Sequence, residues 1–133
     1  MKEYLFVYGT LADGSPPREI ANTVRKLKYV GKGYVSGRLY DLGKYPGAIL
    51  DTGARSRIFG KIYELPGDPK LLNRLDVYEE FDPERPHQSL FVRKQASINR
   101  EDKRKIKGWT YEYNRDVRAR PLIHNGRYSK RAA

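Results

Sequence analysis

Apolar and polar residues alternate along this chain in two rhythms. Residues 4–8, Tyr-Leu-Phe-Val-Tyr, form a short unbroken apolar run, which predicts a strand buried on both faces. From Pro17 to Leu27 the spacing becomes helical: Ile20, Ala21, Val24 and Leu27 share one stripe, and Pro17 suits a first turn. Residues 34–43, YVSGRLYDLG, alternate as a strand does, and residues 44–50 then cross a Pro-Gly turn into Ala-Ile-Leu. Another strand is predicted over 57–67, where Gly60 marks a close backbone approach. Asp68-Pro69 supplies a cap and a first-turn proline for a helix over 68–81. A polar loop follows, FDPERPHQS. Residues 90–98 and the stretch from Ile106 to Asn114 alternate on either side of a polar turn and predict a hairpin. The last residues, 129–133, read as a disordered basic tail. The pattern shows no repeat, linker or low-complexity tract. The fold class it predicts is α+β: one domain over 1–128, with a curved mixed β-sheet or barrel and a few helices.

Composition narrows the picture. The 133 residues are 38% hydrophobic, and eleven Tyr and four Phe supply bulky core material. No apolar run is long enough to span a bilayer, and the N-terminal residues lack the apolar stretch of a signal peptide, so a cytoplasmic protein is expected. With no cysteine, disulfides, thiolate catalysis and zinc–thiolate sites are excluded. The formal net charge is +11, and residues 91–133 hold thirteen Lys/Arg against four Asp/Glu. That surface could attract phosphates, but it lacks the aromatic–basic spacing of an RNA-recognition strand and any helix-turn-helix. A solvated face is therefore expected rather than a nucleic-acid reader.

Candidate chemistry centres on two places. His87 and His124 lie in loop-like contexts without metal-ligand spacing and are expected at the surface, so no metal site is predicted. In the helix over 68–81, by contrast, Leu71, Leu72, Leu75, Tyr78 and Glu79 fall within a stripe of about 120°, while Val77 and Glu80 fall outside it. Residues 76–84 hold five carboxylates and no Lys/Arg, and one of these carboxylates is thus aimed with the leucines. Desolvation would raise its pKa toward the range a general acid/base needs. The competing reading is that the helix frays before residue 79, or that Glu79 pairs with an arginine such as Arg93. The second place is the turn after the first strand, where the backbone N–H groups of Gly9, Thr10 and Leu11 could form a nest for an oxyanion or carboxylate.

Taken together, "VYGTL" (7–11), "YPGAIL" (45–50), "GKIYEL" (60–65), "LDVYE" (75–79), "FVRK" (91–94) and "GWTYEY" (108–113) have a specific order and spacing. The chain resembles the gamma-glutamylcyclotransferase-like family, in particular its gamma-glutamylamine cyclotransferase branch, from about Tyr4 to Tyr128. The resemblance implies a barrel-like fold around a central cavity. It implies that Gly9, Thr10 and Leu11 are the substrate-binding loop with Tyr8 beside it, that Glu79 is the catalytic glutamate, and that Pro46 and Gly47 form a turn near the pocket. Either Tyr111 or Tyr113 would be the cavity-lining tyrosine. The chain departs from the family after the glutamate: a longer insertion precedes Phe91-Val92-Arg93, and Phe91 stands where the family has a tyrosine.

The reaction so implied is cyclisation of a gamma-glutamyl compound to 5-oxoproline and a free amine, with Glu79 moving the proton and no cofactor. The implied partner is that small-molecule substrate, with no membrane; the oligomeric state and the leaving amine stay open. Two other readings stand beside it: a non-catalytic binder of an amino-acid-like ligand with the same fold, and a basic nucleic-acid-binding domain.

Overall fold

Residue parity in the first strand sets the architecture. The computed structural model describes residues 2–9 and 18–128, so the expectations for Thr10, Leu11, Pro17 and the tail 129–133 fall outside the described residues. Six strands are present: β1 Glu3–Val7, β2 Lys28–Asp41, β3 Pro46–Leu50, β4 Arg57–Leu65, β5 Phe91–Arg100 and β6 Lys105–Tyr113; the helices are α1 Arg18–Arg25 and α2 Pro69–Tyr78. In β1, Phe6 faces a cluster with Val35, Leu39, Ile58, Ile62 and Ile98, while Leu5 and Val7 face a second cluster with Ile20, Leu65, Leu71, Leu75 and Tyr111. The unbroken apolar run in β1 is thus explained: successive side chains point to opposite faces, and both faces are covered.

The strand order is β3-β2-β4-β1-β6-β5, and β5 pairs back to β2 through Gly33–Arg100 and Tyr34–Asn99, which closes a five-stranded barrel. Strand β1 is central, antiparallel to β4 and parallel to β6, so the sheet is mixed. The first cluster fills the barrel, and the second lies between the barrel wall and the helices. At Gly60 a Cβ would sit 2.1 Å from the Val7 carbonyl oxygen. The close approach read from that glycine is therefore real: β4 crosses β1 there with no room for a side chain.

Three features differ most from the pattern-based reading. Strand β2 begins at Lys28, six residues before the expected start, because its first half pairs with β4 from Lys28–Glu64 onward despite polar residues and glycines that blur alternation. The expected Pro-Gly turn is not at Pro46-Gly47; the chain reverses at residues 42–45, where the Leu42 N–H donates to the Tyr45 carbonyl at 3.0 Å. Pro46 instead opens β3, a position where a missing N–H is tolerated. Helix α2 ends at Tyr78, not residue 81. The β5–β6 hairpin forms as expected, in register from Phe91–Tyr113 to Asn99–Lys105.

Candidate active site

Helix α2 is built to deliver its last residues to a fixed point. Asp68 caps its start, accepting from the Lys70 N–H at 3.0 Å, and Pro69 occupies the first turn. Leu71 and Leu75 are buried against the barrel, each worth roughly 1.5–3 kcal/mol. At the other end the Glu80 N–H donates to the Val77 carbonyl at 3.1 Å, and the Phe81 N–H to the Asp76 carbonyl at 2.8 Å. That pair of bonds is a Schellman cap, which needs a left-handed residue at its turn. Glu80 holds it with φ 57°, a position that usually falls to glycine. Glu79 is the cap residue itself, and its N–H still bonds the Leu75 carbonyl at 2.9 Å. The helix therefore stops one residue before Glu79 without releasing it.

Glu79 opens onto a cavity of about 300 Å³ whose wall includes Val7, Tyr8, Gly9, Pro46, Phe91 and Tyr111. Its carboxyl is raised from 4.5 to about 7, first by desolvation and then by the neighbouring Glu80 carboxylate. Among the described residues no salt bridge or hydrogen bond engages the Glu79 carboxylate to offset that desolvation. Arg93 does not pair with Glu79. It pairs with Asp76, Nε to Oδ1 at 2.9 Å and Nη2 to Oδ2 at 3.3 Å, while its guanidinium lies over the Trp109 ring at 4.5 Å. Glu80 is exposed, at the cavity rim.

The tyrosines separate by role. Tyr111 lines the cavity and donates its hydroxyl to Asp76 Oδ1 at 2.6 Å; Tyr113 is not among the lining residues and packs on Phe91 with ring centroids 5.4 Å apart. Tyr8 donates to the Tyr111 carbonyl and accepts from the Ala48 N–H at 3.3 Å. Both hydroxyls are pushed far up, Tyr8 by burial and then by the Glu79 charge, Tyr111 by burial and then by its bond to Asp76. Neither is a source of protons near neutral pH. Pro46 lines the cavity, whereas Gly47 lies behind it: a Cβ there would meet Tyr113 at 3.0 Å, so the glycine lets β3 press on that ring. Gly9 is on the wall, with Pro46 3.3 Å from where its Cβ would be. His87 and His124 are exposed, and among the described residues no group of three or more His, Asp or Glu could hold a metal ion.

Sequence reasoning passed over Asp76, which on an ideal helical wheel falls about 40° from the Glu80 direction and outside the apolar stripe. In the structure it is buried and takes three donors, two from Arg93 and one from Tyr111. The signal was there: Asp76 and Glu79 are three residues apart, so one turn of helix places both toward the same strands. Lys44 and Tyr45, on the turn before β3, were also missed and line the cavity. No periodic pattern marks a turn residue as a wall residue.

With this geometry in place, comparison with known proteins decides the family. The family model described as gamma-glutamyl cyclotransferase, AIG2-like, matches residues 5–130. The chain belongs to this family. It is 34% identical over 113 residues to the gamma-L-glutamyl-butirosin B gamma-glutamyl cyclotransferase of Niallia circulans, covering 84% of this chain and 67% of that protein. An AIG2-like protein from Mus musculus has the same fold, with a TM-score of 0.70 at 21% identity over 99% of this chain and 98% of that one. YkqA from Bacillus subtilis superposes with a TM-score of 0.71 at 18% identity; the match covers 96% of this chain and 40% of that one. At those identities the two structures speak for the fold, and the Glu79 cavity is where this member's own chemistry has to be read.

Proposed function

We propose that this protein is a gamma-glutamyl cyclotransferase in which Glu79 is the acid/base. The observation that carries the reading is a carboxyl raised to about 7, free of ion pairs among the described residues, on the wall of a cavity of about 300 Å³ in a chain of this family. The substrate class, a gamma-glutamyl compound, follows from the Niallia circulans relative, which by its name acts on gamma-L-glutamyl-butirosin B.

In the proposed reaction the alpha-amine of the gamma-glutamyl group attacks its own gamma-carbonyl carbon. One C–N bond forms, closing 5-oxoproline, and the original gamma C–N bond breaks, releasing the amine. Nucleophile and electrophile share one molecule, so the cavity's task is to hold a folded, near-attack shape. The alpha-amine arrives as an ammonium. In becoming the lactam N–H this nitrogen loses two protons; Glu79 as carboxylate takes them one at a time and returns each to the leaving nitrogen, which departs as an ammonium, a role worth roughly 10²–10⁴-fold. A pKa near 7 lets one group do both. Residues 9–11 are proposed to present N–H groups to the oxyanion, each worth roughly 3 kcal/mol; Gly9, the part within the described residues, is on the wall. Tyr8 and Tyr111 serve as fixed wall rather than as acids, since their hydroxyls are already engaged. Lys44, at the cavity, supplies the cation that a substrate alpha-carboxylate would meet.

The test is a panel of gamma-glutamyl compounds (amino acids, polyamines, the lysine side chain, peptides and glutathione) with mass detection of 5-oxoproline and of the amine. Equimolar release of both from at least one member is expected. Binding without release from any member would instead favour the non-catalytic reading.

A further inference from the structure

A second hollow, of about 610 Å³, lies on another face of the barrel, over β2, β4 and the β5–β6 turn. Seven cations border it: Lys32, Arg57, Lys61, Arg100, Lys103, Lys105 and Arg127; Glu101 is the one carboxylate among its lining residues. They come from four separate stretches of sequence, and the barrel brings them together. Lys32 faces Lys61 in the β2–β4 ladder, and Ser36 faces Arg57. Like charges opposite one another in a ladder are destabilising unless something neutralises them. Among the described residues, the salt bridges engage only Arg100 of the seven, through Asp102.

The hollow's floor is the cross-strand pair Tyr34–Phe59, with ring centroids 5.8 Å apart. The Arg57 guanidinium lies over Tyr34 at 4.4 Å, and that of Arg127 over Phe59 at 4.0 Å. A guanidinium held over a ring is positioned without using up its N–H donors, and those donors can take phosphate oxygens in pairs. Arg57 and Lys61 are four residues apart on β4, about 13 Å along the strand. A single small anion cannot neutralise charges spread that far, whereas a row of phosphates can.

We propose that this hollow, which shares only Tyr8 with the lining of the Glu79 cavity, binds an oligophosphate, a ligand carrying two or more phosphates in succession. Two sources carry that chemistry: the backbone of a single nucleic-acid strand, and a free chain of phosphates. The linear sequence hides the site because no one segment holds its cations and its rings together.

The test measures binding of a fluorescein-labelled 12-nucleotide thymidylate strand by anisotropy between 50 and 200 mM salt, and of inorganic tripolyphosphate by calorimetry. If the strand neutralises four of the cations, its affinity falls about 50-fold across that range. Replacing two of them, Arg57→Ala with Lys61→Ala, should weaken binding and flatten the log–log salt slope by about 1.4. Lys32→Gln with Lys105→Gln, on different strands, should do the same if the first pair folds poorly. The exposed Lys26→Ala with Lys70→Ala removes equal charge elsewhere and should leave the slope unchanged. Tripolyphosphate binding without strand binding, sensitive to the same pairs, assigns the free chain as the source. Absence of both ligands at 50 mM salt, or equal weakening by the Lys26/Lys70 pair, overturns the proposal.

Discussion

Replacing Glu79 by glutamine keeps the side chain's size and removes its proton chemistry. The carboxyl sits at about 7 against 4.5 for an unperturbed group, a displacement worth about 3 kcal/mol if fully expressed. The carboxyl keeps one side on the open cavity, and solvent there lowers the expected difference to about 1–3 kcal/mol. The sign follows from proton linkage. The folded state binds this proton more tightly than the unfolded state, so the destabilisation is absent below pH 4.5, grows between 4.5 and 7, and is constant above 7. Glu79→Gln should therefore be more stable than the wild type at pH 8 and equal to it at pH 4, measured by urea midpoints at both. On a substrate from the panel, kcat/KM of the wild type should fall about tenfold per pH unit below the inflection near 7, as the base is lost. The substrate ammonium has its own titration, so the readout is the difference between the two profiles. The variant should lose 10²-fold or more at pH 8 and show no inflection near 7. An active Glu79→Gln, or a wild-type profile with the same shape as the variant's, would refute the acid/base role.

The remaining predictions use the surrounding residues. Glu80→Gly should raise stability by about 1 kcal/mol in thermal or chemical unfolding, because glycine holds the left-handed cap without strain. It also removes the carboxylate that is the second cause of the Glu79 shift, so the kcat/KM inflection should move to lower pH while the maximum rate changes little. Asp76→Asn leaves Arg93 half-buried without its carboxylate and should cost roughly 3–5 kcal/mol, read as a shift in denaturant midpoint at unchanged slope. Gly9→Val should block ligand binding in the calorimeter, since Pro46 already lies 3.3 Å from the first added carbon; a folded variant with full binding would make this turn structural only.

Much of the fold was legible because it rests on local periodicity. The doubly buried β1, the Asp68-Pro69 helix start and the 91–113 hairpin are each written in a few adjacent residues. What periodicity could not place was decided by long-range pairing. Lys28 begins β2 because β4 lies beside it, not because its own neighbourhood alternates. The helical stripe aimed Glu79 with the leucines, and the resemblance gave it a role; the structure puts it on a cavity wall and leaves the role to experiment. The same stripe could not show that the helix ends in a Schellman cap on a glutamate, since that cap is normally announced by glycine. Arg93 was a plausible partner for Glu79 by sequence, and only the strand register assigns it to Asp76.

That assignment gives the acidic segment two functions instead of one. Asp76 and Glu79 leave the same helix three residues apart, yet they meet different partners. Asp76 takes two bonds from Arg93 and one from Tyr111, so its charge is fully answered and serves to pin α2 onto β5 and β6. Tyr111 passes the constraint onward, because its carbonyl takes the Tyr8 hydroxyl beside the cavity. Glu79, one turn on, has no such donors among the described residues and meets only desolvation and Glu80. Had Arg93 paired with Glu79, the carboxyl would have been held ionised well below neutral pH and Asp76 left buried with the Tyr111 hydroxyl but no cation. Directing the arginine to Asp76 fixes the helix with one carboxylate and leaves the other able to exchange a proton near pH 7.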